Sequence, residues 1–62
     1  MELTNRERQV LELLDSGLDT AAIGEQLSIS AVTVRRHVSE VLGKLKVPDR
    51  ESALRLLRGP DA

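Results

Sequence analysis

Apolar residues recur along this chain at helical spacing, and the clearest stretch runs from Ser30 to Lys46, S-A-V-T-V-R-R-H-V-S-E-V-L-G-K-L-K. Val34, Val38, Val41, Leu42 and Leu45 stand at i, i+4, i+7, i+8 and i+11, the spacing of one helical face. At ~100° per residue they fall within a sector of roughly 100°. The opposite side carries Val32, Arg35, Arg36, Ser39 and Gly43, basic near its start and small near its end. A flank between the two holds Thr33, His37 and Lys44. Ser30 is a good N-cap, because its hydroxyl can accept from the free amide of Val32 or Thr33. The pattern predicts a helix over about 31–45 with one face for burial. Its other face has the chemistry of a helix that enters a DNA groove.

The same reading predicts three more helices. Thr4 with Glu7 three residues on is the capping-box pattern. Val10, Leu11, Leu13 and Leu14 supply that helix's buried face, and Gly17 ends it. Asp19, with Thr20 as runner-up, caps a second helix to about Leu27, in which Ile23 and Leu27 form an apolar i, i+4 pair. Gly24 sits inside it at a cost of ~1 kcal/mol against Ala, which predicts close approach by another helix. Ser28-Ile29-Ser30 leaves room only for a tight turn plugged by Ile29, so the second and third helices read as a helix-turn-helix. Pro48 breaks the pattern. Asp49 then caps a fourth helix over about 50–57. On that helix Ala53 and Leu57 share one side with Leu56 nearby. Leu54 is expected at the exposed centre, with Glu51 and Arg58 around it. Residues 59–62 read as a frayed tail.

Composition narrows the class. The 62 residues are read as one small all-α domain, 1–62, near the lower limit for folding alone. With no Cys, neither a disulfide nor a thiolate metal site is available. With no Phe, Trp or Tyr the core must be aliphatic, and base stacking on aromatic rings is excluded. No apolar run approaches the ~18 residues of a membrane span, so the default location is cytoplasmic. The net charge of −1 hides an asymmetry. Residues 1–30 hold six acids against two bases (−4), and residues 31–62 hold seven bases against four acids (+3). A local basic surface matters more for binding than the total.

Leu3-Thr4-x-Arg6-Glu7-x-x-Val10-Leu11, Gly17-Leu18, Ile23, Leu27-x-Ile29-Ser30-x-x-Thr33-Val34-Arg35-x-His37-Val38, Lys44-Leu45-x-Val47 and Arg50 together resemble the LuxR-type (GerE, NarL/FixJ) DNA-binding domain, from Leu3 to about Leu57. The resemblance implies a compact four-helix domain and transcriptional regulation in bacteria, as in response regulators. It implies major-groove insertion of the third helix and dimerisation through the fourth. The positions it assigns to bases are Arg35, Arg36 and Ser39, and those near phosphates are Thr33, Lys44 and Arg50. Val32, centred on the exposed face, suits a thymine methyl. His37, Lys46 and Thr20 join the expected phosphate contacts, and Leu54, Glu51 and Arg58 form the expected dimer interface. The implied partners are double-stranded DNA with two symmetric half-sites, a second copy of the chain, and RNA polymerase, with no membrane. The chain departs from the family pattern at Ala21 and Ala22, where Lys or Glu is common, at Gly24, where Ala is usual, and at Arg36, a variable position. The upstream receiver or ligand-binding domain is absent, which leaves a fragment and a stand-alone regulator both open.

Three other classes fit less well. Thr4-Asn5-Arg6-Glu7-Arg8 also resembles the start of the promoter-reading domain of sigma factors, but the run from Thr33 to Val38 favours the LuxR type. A protein-interaction module would not need Arg35, Arg36 and Lys44 on one exposed helix. An enzyme has nothing to support it. His37 is the single His, with no second ligand or nucleophile–base–acid arrangement in the sequence, so no metal, cofactor or catalytic role is expected.

Overall fold

The computed structural model describes residues 3–59. They form four helices, α1 (Asn5–Asp15), α2 (Thr20–Leu27), α3 (Ala31–Leu45) and α4 (Arg50–Arg58), with no strand among the described residues. Of the expected tail, residues 60–62 lie outside the described part.

Each helix begins on a side-chain cap. The Thr4 hydroxyl accepts from the Glu7 backbone N–H at 3.1 Å, while Glu7 Oε1 accepts from the Thr4 N–H at 2.9 Å, a complete capping box. Asp19 accepts from the Ala22 N–H at 2.8 Å and Asp49 from the Ser52 N–H at 2.9 Å. The Ser30 hydroxyl accepts from the Thr33 N–H at 3.1 Å. The helix ends are as regular. After α1, Gly17 turns left-handed at φ +101°, and the N–H groups of Gly17 and Leu18 return to the carbonyls of Leu14 and Leu13, closing the last turn. Ser28 (φ 61°) and Lys46 (φ 56°) play the same part after α2 and α3, although neither is Gly.

The core is aliphatic and lies in two adjoining clusters. Val10, Leu14, Ile23, Val34 and Val38 form one, and Leu11, Val41 and Ala53 the other. The half-buried Leu42 and Leu54 touch both. Helix α3 packs against α1, α2 and α4, which leaves it only one side free.

Two expectations are corrected here. Leu54 is not the exposed centre of α4: it is half-buried and packed into both clusters. The residue left outside is Leu56, at 56% exposure. The reason is helical geometry, because Leu54 and Leu57 are three apart and therefore lie side by side. Gly24 does meet a close neighbour, but that neighbour is the connecting turn rather than a packed helix face. A Cβ there would stand 2.7 Å from the Ile29 carbonyl oxygen, and 3.4 Å from Ser30 C and Ala31 N. A Cβ at this position would therefore force the backbone of the tight turn to shift.

Candidate nucleic-acid interface

Burial divides α3 into three sides. Val34, Val38 and Val41 are buried, with Leu42 and Leu45 packed beside them. Arg35, Arg36, Ser39 and Gly43 are exposed on the far side, and Val32 joins them at 59% exposure. Val32 is not among the apolar residues packed against either core cluster. The first turn of α3 has backbone N–H groups without intrahelical partners, of which the Ser30 hydroxyl takes that of Thr33, and a helix N-terminus favours an anion. This side thus offers forked donors in Arg35 and Arg36, a small hydroxyl in Ser39 and an apolar surface in Val32. Those are the groups that distinguish base edges in a major groove.

The flank residues are less free. The Thr33 hydroxyl lies 2.9 Å from the Ser30 hydroxyl. Lys44 Nζ donates to Glu7 Oε1 at 2.7 Å, so its ammonium turns toward α1. Glu7 is only 3% exposed. Its carboxyl lies below its ordinary value because Lys44 hydrogen-bonds to it and the Thr4 backbone N–H adds to that, against the opposing effect of burial. His37 is half-buried, and its Nδ1 is enclosed without a hydrogen-bond partner, 3.8 Å from Glu40 Oε1. Of the other expected phosphate contacts, Lys46 and Arg50 are exposed and Thr20 is half-buried. Glu51 and Arg58 are exposed on α4, and Arg58 pairs with Asp15 at 2.8 Å.

Sequence reasoning missed the place of Glu7. The fold brings Glu7, His37 and Glu40 together, with one potential ligand atom from each lying within 4.8 Å of the others. The expectation that His37 has no companion ligands is corrected on this point. The Lys44 ammonium, 2.7 Å from Glu7 Oε1, already supplies a positive charge at that oxygen. A metal ion would have to displace it.

The comparisons with known proteins agree with one another. The family model described as "Bacterial regulatory proteins, luxR family" matches residues 1–57. The chain is 46% identical over 52 residues to the transcriptional regulatory protein DesR of Bacillus subtilis, covering 84% of this chain and 26% of DesR. It is 47% identical to the spore germination protein GerE of the same organism, covering 84% of this chain and 70% of GerE. It is 40% identical to the nitrate/nitrite response regulator protein NarL of Escherichia coli, covering 84% of this chain and 24% of NarL. The chain thus spans about a quarter of the length of DesR and NarL. No helix among the described residues is long and apolar enough to cross a membrane.

Proposed function

The chain belongs to the luxR family of bacterial regulatory proteins, and on that premise we propose that it binds double-stranded DNA sequence-specifically in transcription regulation, with α3 in the major groove. The observation that carries this reading is the exposed side of α3, where Val32, Arg35, Arg36 and Ser39 stand opposite Val34, Val38 and Val41. The buried side fixes the helix, so the arginines must face out. Arg35 and Arg36 can fork onto guanine O6 and N7, and Val32 can meet a thymine methyl. Lys46, Arg50, Thr20 and Thr33 are the candidates for phosphate contact. Regulation of transcription in the bacterial cytoplasm, with RNA polymerase as a further partner, follows from the same premise.

Two copies pair through α4 in this reading, with Leu56 at the centre of the contact and Glu51 and Arg58 at its margin. Support comes from Leu56, one of two exposed large hydrophobic residues among the described residues; the other is Val32. Selection of bound duplexes from a random pool tests both parts. Symmetric paired half-sites are expected. Arg35→Ala should cost ~1–3 kcal/mol on the enriched site and relax the preference at one base pair. If Arg35→Ala lowers affinity uniformly and the enriched motif stays the same, Arg35 is a phosphate clamp.

A further inference from the structure

We propose that Lys44 is a positioning residue: its ion pair with the buried Glu7 seats the last turn of α3 on the capped end of α1 and so aims the base-facing side of α3. This rests on the DNA-binding reading above.

One carboxylate oxygen does two jobs. Glu7 Oε1 accepts from the Thr4 N–H at 2.9 Å, which starts α1, and from Lys44 Nζ at 2.7 Å, which holds α3. The two side chains are 37 positions apart in the chain, so the contact fixes tertiary structure and not a local turn. Glu7 is 3% exposed, and a buried carboxylate without a cation is strongly unfavourable. Lys44, at 33% side-chain exposure, is therefore held to it.

The surroundings argue against Lys44 acting as a phosphate clamp. At ~100° per residue, Glu40 falls on the same flank as Thr33, His37 and Lys44. Its carboxylate is half-exposed, 3.8 Å from His37 Nδ1, too far for a hydrogen bond. With Lys44 neutralised by Glu7, that flank presents the charge of Glu40, which repels phosphate. The exposed cations of α3 are Arg35 and Arg36, on the other side.

The test compares wild type, Lys44→Met, Glu7→Gln and the double variant, each verified as folded by circular dichroism at the temperature of measurement. Each is titrated with the duplex that the wild type enriches and with a scrambled duplex, over a range of salt. Glu7→Gln keeps an oxygen that can accept from the Thr4 N–H and removes only the charge. It carries the test even if Lys44→Met does not fold. Both single variants should lose about tenfold in preference for the enriched duplex, and the double variant should be no worse than the weaker single, as for a coupled pair. The log–log salt slope should stay at the wild-type value, whereas loss of a phosphate-bound lysine lowers it by ~1. A slope lowered by ~1 in Lys44→Met, with Glu7→Gln binding normally, makes Lys44 a phosphate clamp and overturns the proposal. Unchanged preference in Glu7→Gln also overturns it, since the pair then holds the fold without aiming α3. A wild-type chain that enriches no duplex overturns the DNA-binding reading and the positioning role with it.

Discussion

Helices α3 and α4 both lean on α1, and they are held there by different means. Three fully or nearly buried valines run along α3, and its last turn is tied to α1 by an ion pair whose carboxylate is buried. Helix α4 contributes a single buried side chain, Ala53, with little apolar area to offer. Its remaining attachments are the half-buried Leu54 and Leu57 and the exposed pair of Arg58 with Asp15. An exposed pair of that kind contributes ~0–1 kcal/mol, while breaking a buried one is far more disruptive. The helix proposed to read DNA is therefore fixed at both ends. The helix proposed to meet a second copy is seated by its leucines and has an apolar residue to spare.

The difference can be broken from the α4 side. Leu54 touches both core clusters, so it ties α4 to each of them. Leu54→Ala should destabilise the domain by about 2 kcal/mol, the lower end of the range for Leu→Ala, because the site is only half-buried. Urea unfolding measures it as a lower midpoint. An unchanged midpoint would return Leu54 to the surface.

Acid should act on both seats, with Glu7 the test on the α3 side. The carboxyls of Glu7 and Asp49 lie below their ordinary values, the first held down by Lys44 and Thr4 and the second by the Ser52 backbone N–H. A lowered folded-state value means stability that is complete above the unfolded value and lost as pH falls through the folded one. Wild-type stability should therefore decline below the ordinary Glu value of 4.5. In Glu7→Gln the share due to Glu7 is already lost at neutral pH, so the decline should be shallower, and what remains includes the Asp49 cap. Identical pH profiles for the two proteins would show that Glu7 is not held by Lys44 in solution.

Much of this arrangement was legible in the chain, and the exceptions have physical reasons. Helix α3 makes about four turns, so five apolar positions overdetermine its inward face, and the exposed side follows by elimination. The caps at Thr4, Asp19, Ser30 and Asp49 were legible too, since each depends on residues three apart. Helix α4 has nine residues and leucines at 54, 56 and 57; the Ala53–Leu57 pair does face inward, and only the choice of Leu56 rather than Leu54 as its neighbour was wrong. The i, i+3 relation of Leu54 to Leu57 was the signal for the right one. Glu7 was harder to read. A capping box already accounts for a Glu at that position, and charged residues are almost never fully buried unless paired. The available signal was its register with Val10, Leu11 and Leu14, at i, i+3, i+4 and i+7. Which of the nine Lys and Arg residues meets it depends on the tertiary fold, and no local spacing reveals that.

The smallest expected effect on the fold comes from Leu56, and it sharpens the comparison most. At 56% exposure the side chain adds little to the seat of α4, so Leu56→Ser should change monomer stability by no more than ~0.5 kcal/mol. Serine adds no charge, so it neither repels DNA nor attracts it nonspecifically. Affinity for a duplex with one half-site should stay at the wild-type value. Affinity for a duplex with two half-sites should fall toward that of two independent sites, because the apolar contact that links the copies has gone. The comparison with Leu54→Ala is decisive, since that change lowers stability before it reaches binding. If Leu56→Ser keeps full affinity for paired half-sites, the copies are joined by another surface, and the exposure of Leu56 has no part in pairing.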